Sequence, residues 1–193
     1  MKQFKIYTTE TAPEKAKETL QLANKKFNMI PNVLGCLAES PETLKAYMSL
    51  SQLFEEGTFT PLEKQVVLLT VSFENDCQYC MAAHTAVAKM SSTPDKVINQ
   101  IRSGHPISIP KLEALRNFTI LVTQKKGELS PFELKGFFDA GFTKAQVFEV
   151  ILGVALKNIS NYANHVVNTP LDQAFEPFKW EHPDSYSHSP LGV

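Results

Sequence analysis

Two cysteines and a histidine lie close together in the segment 77–84, which reads CQYCMAAH. If this segment is helical, as the alanines after Cys80 suggest, Cys77 and Cys80 are i,i+3 neighbours and Cys80 and His84 are i,i+4 neighbours. At 100° per residue, the three side chains then share one narrow stripe of the helix. Two thiols that can join as a disulfide, beside a base that can accept a proton, predict a redox site.

The start of this helix favours an ionised thiol. Asn75 and Asp76 are both good N-cap residues, so we expect Cys77 to enter the first turn and Cys80 to lie at its end. Free backbone N–H groups and the helix dipole lower the pKa of a thiol at that position, and His84 is expected to titrate near neutral pH. The helix also carries Tyr79 and is apolar on most sides, which predicts a buried helix with the thiols in a pocket.

The rest of the chain has the pattern of helices. Most of its 12 prolines precede stretches with helical periodicity, and Thr60–Glu63, Ser130–Glu133 and Thr143–Gln146 have the pattern of capping boxes. No stretch alternates as a strand does, so the predicted fold class is all-α. The predicted helices are 13–27, 31–39, 41–56, 61–74, 77–90, 94–103, 110–126, 131–140 and 144–168.

Length and composition predict an ordinary globular protein. The 193 residues suit a single helical domain over 1–172, followed by a tail over 173–193 that packs on the body or on a neighbouring subunit. The net charge of −1 gives no electrostatic footprint for nucleic acid or membrane. No signal peptide or spanning segment is apparent, and three cysteines, two of them in Cys-X-X-Cys, suit a cytoplasmic location.

An offset of 83 residues aligns 60–81 with 143–164. Matches include Thr60 with Thr143 and Asn75 with Asn158. This pattern predicts an internal duplication in which the second copy lacks the thiols, so that only one half carries redox chemistry.

Several residues have more than one interpretation. The Cys-X-X-Cys pair could be half of a zinc site, but no second ligand pair at a suitable spacing accompanies it. Glu63 is a candidate acid and also the third residue of a capping box, while Glu74 could lie near Cys77 or in solvent. One face of the last long helix is expected to be solvated or subunit-facing rather than a wall of the site; it carries Asn158, Asn161 and His165.

The thiol–histidine motif follows an apolar helix that opens Thr60-Pro-Leu-Glu63, and in this it resembles the carboxymuconolactone decarboxylase/AhpD-like family. The segment 29–34 (MIPNVL), the segment 40–47 (SPETLKAY) and Asn161-Tyr-Ala-Asn-His165 are similar to the same family, so that the resemblance covers roughly residues 25–172.

The resemblance implies an all-α, internally duplicated fold, a homotrimer or hexamer, and thiol-dependent alkylhydroperoxidase activity. It further implies that Cys80 attacks the peroxide, Cys77 resolves the sulfenate and His84 relays the proton. The family commonly has a glutamate twelve residues before the first cysteine, where this chain has Gln65. Because glutamine cannot accept a proton at neutral pH, the chain departs from the family's relay at this position.

This chemistry requires a hydroperoxide and a thiol reductant or redox protein, but no metal, flavin or nucleotide cofactor. Two other functions remain open. The same thiols could act on protein disulfides as a general thiol–disulfide oxidoreductase, or the chain could be a non-redox, decarboxylase-like helical protein.

Overall fold

The computed structural model describes residues 4–184, and within this range the chain forms nine α-helices, one short 3-10 helix and no strand. The helices are α1 Glu14–Phe27, α2 Asn32–Leu37, α3 Pro41–Glu56, α4 Pro61–Glu74, α5 Gln78–Met90, α6 Asp95–Arg102, α7 Pro110–Gln124, α8 Pro131–Asp139 and α9 Lys144–Val167, with the 3-10 helix at Gln173–Phe178. The predicted all-α class is confirmed, and each predicted helix end lies within two residues of the observed one.

Side-chain caps fix where several helices begin. The three predicted capping boxes are present at Thr60, Ser130 and Thr143, and each supplies a side-chain acceptor to orphan backbone N–H groups. A proline occupies the first turn of α3, α4, α7 and α8, as predicted. Pro13, Pro31 and Pro94 instead take the N-cap position, one residue before the expected place, because their extended ψ angles end the preceding loop.

Helix α4 lies at the centre of the fold. Its residues 63–72 are all buried, and it packs against α5, α7 and α9. The approach to α9 is close at Gly153, where an added Cβ would lie 2.7 Å from Cγ1 of Val67. Asn75, just after α4, donates to Oδ1 of its 83-residue counterpart Asn158 at 3.0 Å. This pairing agrees with the predicted duplication, which stays a prediction.

Two groups of buried apolar residues form the core. The larger includes residues of α4, α7 and α9. The smaller is formed by α1, α2, α3 and the first turn of α5, and it includes both Cys77 and Cys80. The two thiols that are predicted to react therefore lie inside the smaller core.

The chain after α9 runs back over the body. The carboxylate of Asp172 accepts hydrogen bonds from Tyr79 Oη on α5 and from the backbone N–H of Asn32 at the start of α2. Farther along, Trp180 Nε1 donates to the Arg102 carbonyl at 2.8 Å, and the indole ring is buried. The tail predicted over 173–193 extends beyond the described residues, since positions 185–193 lie outside them.

Candidate active site

The first thiol lies at the boundary between a loop and α5. Cys77 is itself the N-cap residue, with φ −90° and ψ 94°, and it is preceded by Asp76 in a left-handed conformation at φ 48°. The expectation that Asn75 or Asp76 caps the helix is therefore wrong, because the chain turns at Asp76 and enters the helix one residue later. Cys80 still falls in the first turn, where free N–H groups and the helix dipole favour a negative charge.

Both cysteines are buried. Cys77 is 1% exposed and Cys80 is 3% exposed, and they lie among apolar side chains of α1, α2 and α3. The third cysteine, Cys36, is also buried and lies in α2. The thiols therefore lie in the interior, and the pocket expected around them stays a prediction.

Helix α9 supplies the polar groups that contact the thiols. The side-chain amide Nδ2 of Asn164 lies 3.2 Å from the Cys80 sulfur and 3.8 Å from the Cys77 sulfur. The hydroxyl oxygen of Ser160 lies 3.8 Å from the Cys80 sulfur. A nitrogen donor at these distances stabilises a thiolate more than a thiol, because it points a positive hydrogen at the sulfur.

A lysine accompanies these groups. Lys157 lies one turn before Ser160 and Asn161 on α9, and it is only 1% exposed. Burial alone would lower its pKa, but the charge of Cys80 and smaller contributions from Tyr47 and Cys77 raise it. Lys157 is therefore a buried ammonium group whose main counter-charge is the Cys80 sulfur.

The two thiols differ strongly in acidity. Burial raises the pKa of Cys80, but the hydrogen bond from Cys77 and the charge of Lys157 outweigh burial and hold this pKa well below its ordinary value. The pKa of Cys77 is raised, first by donation of its hydrogen bond to Cys80 and then by burial. The arrangement therefore favours ionisation of Cys80 before Cys77.

His84 is half-buried on α5, one turn after Cys80. Burial, reinforced by the charge of Lys157, lowers the pKa of His84 well below its ordinary value. The expectation that it titrates near neutral pH is thus wrong, and the imidazole is neutral there. Its Nδ1 is buried without a hydrogen-bond partner among residues 4–184, and the side-chain contacts found at the two sulfurs do not include it.

The three relay candidates on α4 occupy different environments. Glu63 completes the Thr60 capping box and pairs with Lys111 at 2.8 Å, which fits its structural interpretation. Glu74 accepts a hydrogen bond from Gln124 on α7 at 2.7 Å. Gln65 is buried, and its Oε1 has no hydrogen-bond partner in the described part of the chain.

Tyr79 connects the thiol helix to two other segments of the chain. Its hydroxyl donates to Asp172 and accepts from the Val33 backbone N–H at 3.3 Å, while its ring meets Phe175 edge-on. Burial and the bond to Asp172 raise the pKa of this hydroxyl. Tyr79 therefore joins α5 to α2 and to the chain after α9.

The polar residues on one face of α9 differ in their exposure to solvent. Asn161 is fully buried and accepts from Asn75 at 2.9 Å, and Asn158 takes part in the same contact. His165 is exposed and lies 3.3 Å from the Asp76 carbonyl oxygen. The expectation of a solvated or subunit-facing stripe is therefore wrong for Asn161, because α9 turns this side towards the thiol loop.

Sequence reasoning missed Lys157, Asn164 and Tyr47. A signal was present in the spacing of α9, since Gly153, Lys157, Ser160 and Asn164 recur at helical intervals and continue the buried stripe that begins at Val150. A lysine on a buried stripe requires a counter-charge.

Within residues 4–184, no group of three or more His, Cys, Asp or Glu side chains is arranged to hold a metal ion. Likewise, none of the described helices is long and apolar enough to cross a membrane.

Comparison with known proteins bears on the family and the fold. The sequence pattern of the carboxymuconolactone decarboxylase family matches residues 41–104. No curated protein has a significant sequence match to the chain. The family resemblance found from the motifs is confirmed by this match over residues 41–104.

Solved structures share the fold over nearly the whole chain. A peroxidase-related protein with an alkylhydroperoxidase AhpD core, from Ralstonia eutropha JMP134, has a TM-score of 0.80 at 20% identity and covers 90% of this chain and 93% of its own. A peroxidase-related protein from Silicibacter sp. TM1040 has a TM-score of 0.75 at 18% identity, with coverages of 89% and 91%. A variant of the debrominase Bmp8 bound to 2,3,4-tribromopyrrole has a TM-score of 0.74 at 12% identity, with coverages of 92% and 96%. These identities establish a common fold.

Proposed function

We propose that the protein is a thiol-dependent peroxidase of the alkylhydroperoxidase type, with an antioxidant role. The observation that carries the proposal is the unequal thiol pair, in which Lys157 and Asn164 favour a Cys80 thiolate while Cys77 remains a thiol beside it. A peroxidase of this kind needs one nucleophilic sulfur and one protonated sulfur within reach of it.

The reaction follows in two steps. The Cys80 thiolate attacks one oxygen of the peroxide, the O–O bond breaks, and the products are Cys80–SOH and an alkoxide that takes up one proton. The Cys77 sulfur then attacks the Cys80 sulfenic acid, so that a disulfide forms and water leaves. A small external thiol reductant returns the pair by thiol–disulfide exchange.

The burial of the thiols favours a small substrate. A protein disulfide has to bring its own sulfur within bonding distance of the attacking sulfur, which a site with 1% and 3% exposure opposes. A hydroperoxide of a few atoms needs much less space. This argument favours peroxide turnover over general protein disulfide exchange, and the paired thiols oppose a role as a decarboxylase without redox chemistry.

His84 has a limited role in this proposal. Because its imidazole is neutral, it can accept a proton or orient a water, but it lacks the additional proton of an imidazolium that could be transferred to the alkoxide. Gln65 can neither take up nor release a proton at neutral pH. A reducing cytoplasm suits the protein, since all three cysteines are free.

The proposal is tested by peroxide consumption with a dithiol as reductant. We expect Cys80→Ser to abolish consumption. Cys77→Ser should allow a single turnover and leave a sulfenic acid on Cys80 that a dimedone-type probe captures. Cys36→Ser is the matched control, since that cysteine lies outside the thiol pair, and it should retain full activity. Normal turnover by Cys80→Ser would overturn the proposal.

A further inference from the structure

Lys157 loses its counter-charge each time the thiol pair is oxidised. In the reduced protein, Lys157 is 1% exposed and lies one turn before Ser160, whose hydroxyl oxygen is 3.8 Å from the Cys80 sulfur. Burial alone would lower the pKa of Lys157, and the charge of Cys80 is the main contribution that raises it. In a disulfide, neither sulfur carries a charge. A buried ammonium group without a partner is strongly disfavoured relative to the neutral amine.

Among the described residues, the titratable groups found to interact with Lys157 offer no replacement charge. They are Tyr47 on α3, Cys77 at the N-cap of α5, and Cys80 and His84 on α5. Tyr47 is neutral because burial raises its pKa, and His84 is neutral because burial lowers its pKa. Within the described residues, the ion pairs made by carboxylates go to other lysines, to Arg116 and to His182.

We propose that Lys157 is the proton donor of the reaction, giving its proton to the leaving oxygen as Cys80 is oxidised and recovering it when the thiols are reduced. This inference rests on the proposed peroxidase function, and it assigns to a lysine on α9 the proton transfer that Gln65 cannot perform. Lys157 thus acts on the reacting atoms and does not only hold the thiolate.

The atoms and charges balance. The reduced site holds Cys80–S⁻, Cys77–SH and Lys157–NH₃⁺. With ROOH it yields the Cys77–Cys80 disulfide, ROH, water and Lys157–NH₂. The two electrons lost by the sulfurs reduce the O–O bond. Two reductant thiols then restore both cysteines as thiols, and Cys80 returns its proton to the lysine amine.

The proposal predicts the number of protons taken up from solvent during oxidation. If Lys157 supplies the proton, stoichiometric peroxide should form the disulfide with no net proton uptake near neutral pH. If Lys157 stays charged, about one proton should enter from solvent per disulfide, because the thiolate charge is lost while the ammonium charge remains. A pH indicator dye in weakly buffered solution measures the difference.

Lys157→Arg is the most informative variant, because arginine keeps the positive charge but does not release a proton in proteins. The ultraviolet absorbance of the thiolate should persist, about one proton should be taken up per disulfide, and oxidation by peroxide should slow by about 10²–10⁴-fold. Lys64→Arg changes another buried lysine, which bonds to the Glu55 carbonyl, and should behave as the wild type. These variants separate proton donation by Lys157 from the effect of its positive charge on the thiolate.

Two further measurements keep the test decisive. If Lys157→Arg does not fold, Lys157→Met serves instead. The number of protons that this variant takes up per disulfide should rise with pH as Cys80 ionises, whereas the wild type should take up none. Proton uptake can also be measured with a diazene oxidant in place of peroxide. A protein that forms the disulfide with the diazene but does not react with peroxide would refute the peroxidase function, independently of the role of Lys157. Uptake of one proton per disulfide by the wild type with either oxidant would overturn the role of Lys157.

Discussion

The side-chain nitrogen of Asn164 lies 3.2 Å from the sulfur of Cys80, although 84 positions separate the two residues in the chain. Helix α9 therefore completes the thiol site that α5 begins. The same helix brings Lys157 and Ser160 towards Cys80, so that the sulfur is stabilised from one side by three residues of a single helix.

Removal of the Asn164 amide should raise the pKa of Cys80. A hydrogen bond to a charged group contributes about 1.5–3 kcal/mol, and Asn164→Ala removes that contribution from the thiolate and not from the thiol. We expect less thiolate absorbance at neutral pH and slower oxidation by peroxide. Asn117→Ala, at an exposed site on α7, is the matched control. An unchanged thiolate titration in Asn164→Ala would show that the contact contributes nothing.

Loss of the thiolate should destabilise the fold through Lys157. Cys80→Ala leaves a buried ammonium group unpaired, which we expect to cost about 3–5 kcal/mol, measured by urea unfolding. Cys77→Ala should cost less, and Lys157→Met in the Cys80→Ala background should recover much of the loss. A Cys80→Ala protein no less stable than Cys77→Ala would contradict the ion pair.

The pH dependence of Cys80→Ala follows from the same lysine. Without Cys80, burial lowers the pKa of Lys157 in the folded state below its value in the unfolded chain, so the unfolded state binds more protons at neutral pH. The stability of this variant should therefore rise with pH up to the pKa of an unfolded lysine, about 10.4.

Substitutions at Glu63 and Gln65, two nearby polar positions on α4, should have different effects. Glu63→Gln should cost about 0.5–2 kcal/mol of stability and leave peroxide turnover unchanged, since Glu63 serves the Thr60 cap and pairs with Lys111. Gln65→Glu should raise turnover and shift its pH profile, because it adds a proton acceptor at a buried position. Loss of turnover in a folded Glu63→Gln protein would identify Glu63 as the relay acid.

An apolar exposed face of α9 supports assembly into the expected homotrimer or hexamer. It carries Phe148, Ile151, Tyr162 and Val166, of which Phe148 is 71% and Val166 72% exposed. Exposed apolar faces of this kind mark interaction sites. We expect light scattering to show a homo-oligomer and Phe148→Glu with Val166→Glu to dissociate it, whereas Phe132→Glu on α8 should not. A wild-type monomer at micromolar concentration would refute this.

Much of the fold was predictable because its signals are local. A proline or capping box specifies the start of a helix within four residues, as at Thr60 and Ser130, and the helix ends were correspondingly accurate. The turn at Asp76 was not predicted, because aspartate is common both at N-caps and in left-handed turns, so that its residue type does not decide between the two. The error moved Cys77 from the first turn to the N-cap.

The site was predictable only in part. The motif identified Cys77, Cys80 and His84, since all three share one segment. It could not identify Lys157 and Asn164, whose contacts with the thiols depend on how α9 crosses α5. The same packing determines the charge of His84, which its spacing from Cys80 could not reveal.

The most direct test is the mass of the reduced protein after one equivalent of hydrogen peroxide. We expect loss of two hydrogens and a peptide map in which Cys77 is joined to Cys80, with Cys36 still free and the change reversed by a dithiol. An unchanged mass, or a disulfide that includes Cys36, would contradict the assignment of Cys80 as nucleophile and Cys77 as its resolving partner.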